Sequence, residues 1–168
     1  MKFEAIRADL SHINDMAYVH AKSWQKAYRG IVANHILYEF TPEKRAEVFR
    51  EAILSRPEEY YLFKINNTSA GIALLYKSHE YNADDTDGEI YAIYFHPDFW
   101  GTSVTHTAFE FCINRLKELG FTKINIWVLE ENMRARKFYE KHGFAFDGTR
   151  KIIKIGKPFS EIRYSKKI

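Results

Sequence analysis

The sequence is short of most features by which small catalytic sites are recognised. One cysteine, Cys112, stands alone among 168 residues, so no internal disulfide can form. It falls in the apolar helical pattern "FEFCINRL" and reads as a buried thiol rather than a nucleophile. There are only four prolines and eight glycines, and nowhere are they dense enough to make a linker or a low-complexity segment. No apolar run approaches the ~20 residues of a membrane span, and the opening "MKFEAIRADL" lacks the apolar stretch of a signal peptide. The expected compartment is the cytoplasm, with no membrane partner, and the sequons at Asn66 and Asn67 then mean only a polar turn. Gly-x-Gly-x-x-Gly, the P-loop pattern, Cys-x-x-Cys, His-Glu-x-x-His and Gly-x-Ser-x-Gly are all missing. The seven histidines show no metal-ligand spacing, so no metal is expected. His20, on an apolar helix stripe, reads as a hydrogen-bonded core residue.

Charge imbalance is also small. The 25 Lys and Arg against 22 Asp and Glu leave a net +3, too mild to argue for nucleic acid. Only "RKIIKIGK" and "YSKK" are densely basic, and these read as a solvated strand face and a tail. What the chain does have is apolar and aromatic side chains, 46% and 16% of its residues. That is enough for one core, hence a single domain over residues 1–168.

The pattern of elements is β-α-α-α-β-β-β-α-β-α-β-β. "KFEAIR" alternates as a strand does, and Asp9 or Ser11 can cap the helix after it. That helix carries Ile13, Ala17, His20, Ala21 and Trp24 at helical spacing and breaks at Gly30. A short helix follows over 31–38, then a helix opened by Thr41 and Pro42. "EYYLFKI" and "GIALLYKSHEY", joined by "NNTSA", read as a hairpin. After an acidic loop, "NADDTDGE", the strand "EIYAIYF" leads into "HPDFWGTSVT". A helix with Val104, Ala108, Phe111, Cys112, Leu116 and Leu119 on one side ends at Gly120. The strand "FTKINIWVL", a short helix between Asn132 and Gly143, and two antiparallel strands complete the chain. The strand-helix-strand unit at 89–129 implies one parallel pair in an otherwise antiparallel sheet. A cleft that can hold an extended ligand opens where such strands part.

"GEIYAIYFHPDFWGTSV" followed by "INIWVLEENMRARKFYEKHGFAFDG" resembles the GNAT superfamily of acetyl-CoA-dependent N-acetyltransferases. The second stretch is the more specific, and "HAKSWQKAYRGI" resembles the opening of one bacterial branch. The resemblance covers nearly the whole chain. It implies a mixed α/β fold with a central six- to seven-stranded, mostly antiparallel sheet, one splayed parallel pair and helices on both faces. It also implies acetyl-CoA as co-substrate and direct transfer to a primary amine. By that resemblance the backbone of Ile93, Tyr94 and Phe95 pairs with the pantetheine arm. The loop Trp100, Gly101, Thr102, Ser103, Val104, Thr105 wraps the pyrophosphate with its amides, aided by the helix dipole. Asn132 contacts the cofactor near its reactive end, Tyr139 protonates the departing thiolate, and a backbone N–H near Tyr94 stabilises the oxyanion.

An alkylammonium cannot attack a thioester, so a base is needed. Glu89 opens the central strand, where some family members place a glutamate base. Its alternative is a solvated strand end. Trp24, Tyr28, His79 and Tyr81 are the expected contacts of the acceptor, a small molecule or a peptide amine. The acidic run Asp84, Asp85, Asp87 and Glu89 either attracts a cationic amine or merely solubilises a turn. A homodimer is left open. The loop departs from the family pattern Gln/Arg-x-x-Gly-x-Gly/Ala. Gly101 matches an early glycine, Ser103 and Thr105 fill the other small positions, and Trp100 stands where Arg or Gln is common. A Ser forced to φ > 0 would cost roughly 1–2 kcal/mol. The loop is thus a degenerate pyrophosphate loop, or plain helix capping by Thr102 or Ser103. The rival function is a non-catalytic domain that binds acyl-CoA weakly.

Overall fold

The computed structural model describes residues 2–80 and 82–168. Seven strands and five helices follow the expected order: β1 (Phe3–Arg7), α1 (Ile13–Ala27), α2 (Asn34–Glu39), α3 (Pro42–Ser55), β2 (Glu59–Ile65), β3 (Thr68–Lys77), β4 (Asp87–Phe95), α4 (Ser103–Glu118), β5 (Lys123–Leu129), α5 (Met133–Lys141), β6 (Ala145–Ile155) and β7 (Lys157–Lys167). One sheet holds all seven strands in the order β1-β2-β3-β4-β5-β7-β6. Every neighbouring pair is antiparallel except β4 with β5.

Local chemistry accounts for most boundaries. Asp9 accepts from the Ser11 amide in the 3-10 turn before α1. Thr41 accepts from the Lys44 amide, and Pro42 occupies the first position of α3. The β2–β3 turn is tighter than "NNTSA" suggests. Asn66 and Asn67 alone make it, with φ of 45° and 68°, and pairing resumes at Ile65 with Thr68. Two left-handed residues are what a type I′ hairpin demands, and asparagine tolerates them. The acidic loop is shorter than expected as well. Asp87 joins β4, is 2% exposed and pairs with Lys123 at 2.6 Å.

The sheet separates two layers. On one face, α4 and α5 cover β3, β4, β5 and β7 through Ala108, Phe109, Cys112, Leu116, Ile124, Ile126, Tyr139 and Tyr164. On the other, α1 and α3 cover β2 and β3 through Met16, Val19, Phe49, Leu62 and Ile72. The buried stripe of α4 is rotated from the expected one. Phe109 and Ile113 belong to it, whereas Phe111 is half-buried and Leu119 is 37% exposed. His20 is buried against Phe40, Phe49 and Tyr94. Contrary to expectation its Nδ1 has no hydrogen-bond partner among the described residues, and burial pushes its pKa down to about 3. Of the two basic C-terminal stretches, "RKIIKIGK" is the expected solvated strand face, with Arg150, Lys154 and Lys157 exposed along β6 and the start of β7. "YSKK" is not a tail but the end of β7, where Tyr164 is buried. Between them, Arg163 pairs with Asp147 at 2.6 Å.

The parallel pair is short. Asp87, Gly88 and Glu89 pair with Lys123, Ile124 and Asn125, and there pairing stops, although β4 runs on to Phe95 and β5 to Leu129. Each strand stays bonded to its other neighbour over that length, β4 to β3 and β5 to β7. A register shift sets Leu74 opposite Ala92 but Leu75 opposite Ile90, so Tyr91 is an extra residue in β4. Such a bulge bends its strand, and it lies two residues beyond Glu89, the last residue of β4 that pairs with β5. Gly71 lets the end of β4 lie close on β3, since a Cβ there would meet Phe95 Cδ1 at 2.5 Å.

Candidate active site

The parted strands leave backbone groups without ladder partners. The His96 amide donates to Ala70 of β3 at 2.8 Å. By the alternation of a strand, Tyr94 faces β3 too, while the polar backbone of Ile93 and Phe95 faces the gap. The Phe95 carbonyl accepts the Trp100 indole N–H at 2.8 Å. This anchors the loop to the strand end and leaves the Ile93 backbone and the Phe95 amide turned toward the gap.

The loop then enters α4. Gly101 has φ of 73°, the left-handed region that glycine adopts freely. Ser103 and Thr105 are already helical and neither has positive φ, so the strain expected of a serine in a glycine position does not arise. The capping alternative fails in a specific way. Thr102 holds the N-cap position, yet its hydroxyl donates to the Phe99 carbonyl at 2.7 Å and accepts nothing from α4. The Thr105 and Thr107 hydroxyls bond to the carbonyls of Thr102 and Ser103. Thr41 and Asn132 cap α3 and α5 with side-chain oxygens, but among the described residues no side chain caps α4. Its first amides and the positive end of its dipole face outward together. Val104 turns its side chain into the core with Ile65 and Ala70, so only its backbone can serve the loop.

Glu89 lies where β4 and β5 cease to pair, and it is 5% exposed, not a solvated strand end. It accepts the Ser78 hydroxyl at 2.8 Å. Burial pushes its pKa above the usual carboxylate range, the Ser78 bond partly offsets this, and Glu80 adds to the rise. Tyr139 is 7% exposed and packs on Phe109 and Tyr164. Burial drives its pKa up, with Tyr94 adding to the rise and Arg134 opposing it, so its phenol stays protonated at neutral pH. Tyr28, at the end of α1, and Tyr139, on α5, both feel Tyr94 of β4, so helices from both faces bring phenols to that strand. Cys112 is fully buried and its thiol is pushed up by burial, which removes it as a nucleophile.

The expected acceptor contacts divide. Trp24 stacks on Phe40 with centroids 4.1 Å apart and meets Tyr28 edge-on at 4.7 Å. His79 is exposed and packs instead with Tyr76 and Tyr91. Tyr81 lies outside the described residues. Asp84 and Asp85 stay on the surface loop, with Lys77 beside Asp85 at 2.5 Å. Other carboxylates face this region and were not singled out from sequence. Glu80 accepts the Trp127 indole N–H at 3.0 Å. Lys151 lies 3.7 Å from both Glu80 and Glu161 and 4.0 Å from the Trp127 ring centroid. Burial raises Glu161, and Lys151 holds it down. Alternation in "SEIRYSKK" puts Glu161, Arg163 and Ser165 on one face, but nothing local ties that face to β4.

The family profile described as Acetyltransferase (GNAT) family matches residues 18–144. An uncharacterized N-acetyltransferase of Mycobacterium tuberculosis is 24% identical over 142 residues, covering 84% of this chain and 88% of its own. The PaiA N-acetyltransferase of Thermoplasma acidophilum, solved in complex with coenzyme A, superposes with a TM-score of 0.79 at 19% identity, covering all of both chains. An acetyltransferase of Thermus thermophilus gives 0.73 at 15% identity, covering 100% of this chain and 98% of its own. With a profile match over most of its length and the splayed strand pair beside an uncapped helix, the chain belongs to the GNAT acetyltransferase family.

Proposed function

We propose that the protein transfers an acetyl group from acetyl-CoA to a primary amine by direct attack. The observation that carries this reading is the parting of β4 from β5 beside the uncapped start of α4. The gap offers an extended arm the backbone of Ile93 and the amide of Phe95. The amides from Gly101 to Thr105 suit a pyrophosphate. Asn132, already the cap of α5, stands near the reactive end. The likeness to a fold solved with coenzyme A supports the choice of donor.

The thioester supplies the acetyl group, and the chain manages two protons. Glu89 takes one from the incoming ammonium, directly or through water. Its raised pKa suits it to do so near neutrality. The Tyr139 hydroxyl, protonated at working pH, donates one to the departing sulfur and is restored by the second proton that leaves the nitrogen as the amide forms. The Tyr94 region supplies the backbone N–H that stabilises developing negative charge on oxygen. Trp24 and Tyr28 line the acceptor side near Tyr94. Glu80 and Glu161 give that side the negative charge that draws a cationic amine.

The rival reading, a non-catalytic acyl-CoA binder, drew its force from the loop glycines that are missing. Within that loop only Gly101 has a left-handed backbone, which weakens that argument. The test is a thiol-release assay with acetyl-CoA against a panel of primary amines. Turnover that is lost in Glu89→Gln is the expected result. Tight acetyl-CoA binding with no turnover on any amine would favour the rival.

A further inference from the structure

Arg134 is the second residue of α5. A cation there opposes the helix dipole, which favours anions at an N-terminus. The residue is exposed, and what burial its guanidinium has disfavours the charge. Among the described residues no carboxylate lies within 4 Å of it, and none of its donors is engaged in a hydrogen bond. Arg136, two residues on, differs: it donates to Tyr164 Oη at 3.1 Å and to the Glu130 carbonyl at 2.9 Å.

What holds Arg134 is Trp100. The guanidinium carbon sits 3.2 Å from the centroid of the Trp100 ring. That ring is itself fixed by its N–H to the Phe95 carbonyl. Stacking on an aromatic face leaves the in-plane N–H fork of arginine free to meet a second partner. Trp100 bonds to the end of β4 and stands three residues before Ser103, the first residue of α4, so the guanidinium on its ring is held beside the loop that joins the parted strand to the helix. Trp100 also fills the place in the loop where the family pattern has Arg or Gln.

We infer that Arg134, carried on the Trp100 ring, is a diphosphate-binding residue of this chain, so that α5 supplies the cation that the loop lacks. The inference rests on the acetyl-CoA reading above and adds a residue and a ligand group to it. A guanidinium binds phosphate oxygens through paired, charge-assisted hydrogen bonds. Trp100 is then a positioning residue, whose indole sets the angle of the fork.

Calorimetry on Arg134→Gln and Arg134→Lys, titrated with CoA and dephospho-CoA, tests this, with NMR titration of pantetheine as the control lacking phosphate. The expected result is a ~10- to 100-fold weaker Kd for CoA and dephospho-CoA in Arg134→Gln, a smaller loss in Arg134→Lys, and pantetheine shifts unchanged. Melting temperatures within a few degrees of wild type are expected to accompany these losses. Equal CoA affinity in Arg134→Gln and wild type overturns the inference while leaving the acetyl-CoA reading intact. A loss confined to CoA and absent for dephospho-CoA overturns it too, because the partner would then be the 3′-phosphate. A loss that extends to pantetheine marks a packing defect and also overturns it. If wild type binds neither CoA nor dephospho-CoA, the acetyl-CoA reading fails and this inference fails with it.

Discussion

Two glutamates on neighbouring regions of the sheet are equally buried and oppositely tuned. Glu59, at the start of β2, is 7% exposed, and Glu89, at the start of β4, is 5% exposed. Glu59 accepts from Arg115 Nε and Nη2 at 2.9 Å each and from the Tyr61 hydroxyl at 2.7 Å, and Arg7 lies 2.6 Å away. Those donors hold its pKa down to about 2, Arg115 contributing most. Glu89 has one neutral hydroxyl, and burial pushes it up. Burial alone therefore does not decide what a carboxylate does. The number and charge of its donors do. Glu59 is fixed as an anion that ties α4 to the edge of the sheet, whereas Glu89 is left able to take a proton.

The sharpest way to break this comparison is to neutralise each in turn. Glu89→Gln is expected to lower acetyl transfer by ~10²- to 10⁴-fold, the usual worth of a positioned base, with a melting temperature near that of wild type. Glu59→Gln is expected to do the reverse. It leaves two arginines facing a neutral amide and costs about 2 kcal/mol of stability, with turnover per folded molecule unchanged. Denaturant melts and steady-state rates on both variants separate the roles. If Glu89→Gln unfolds the protein and spares activity, the assignments are reversed.

Tyr139→Phe comes next in size. The ring still packs on Phe109, and only the hydroxyl proposed to protonate the sulfur is lost. A thiolate leaves fairly well unaided, so ~10- to 100-fold in kcat is expected, at the low end of acid catalysis or below it, with acetyl-CoA affinity little changed. An unchanged kcat would make Tyr139 a packing residue.

The two glutamates also differ in the sign of their pH dependence. Glu59 is depressed, so its stabilisation is present above the ordinary carboxylate value of 4.5 and drains away as pH falls from there toward about 2. Arg115→Met is expected to flatten that acid loss in melts between pH 2 and 5. Glu89 is raised, so its contribution is present below 4.5 and is lost as pH rises through its elevated value. With Glu89 as the proposed base, the same elevation is expected to set the acid limb of kcat/KM above the ordinary carboxylate range, because a base works only when deprotonated. The smallest effect expected is that of Ser78→Ala. It removes the one bond that lowers Glu89, and the acid limb moves further up in pH. A limb that moves down would show that Ser78 does not bond the ionised form.

Much of the fold was legible because its signals are local. Thr41-Pro42, Asn132, Gly120 and Gly143 mark helix ends through chemistry that needs no tertiary contact, and the βαβ unit at 89–129 dictates a parallel pair. The burial of Glu89 was not legible. It depends on Ser78 and on the chain around β3, and an acidic turn read alone resembles any solvated loop. The Glu80–Lys151–Glu161 cluster joins residues from three distant segments, and the alternation of "SEIRYSKK" cannot say which strand will lie beside it. Arg134 was hidden for the same reason. Its partner Trp100 is 34 positions away, and in sequence that tryptophan is only a departure from the loop pattern.

In the proposed function the gap between β4 and β5 receives acetyl-CoA, with its pyrophosphate at the amides that follow Gly101. The most direct measurement is calorimetric titration of acetyl-CoA into wild type and into Gly101→Val. A valine at φ of 73° strains the loop, and it does so where no neighbour lies within 4 Å of the added Cβ, so the fold is spared. One acetyl-CoA per chain is expected in wild type, and at least ~10-fold weaker binding in Gly101→Val, ~1.4 kcal/mol. Absence of binding in wild type, or equal affinity in the two proteins, would contradict this placement.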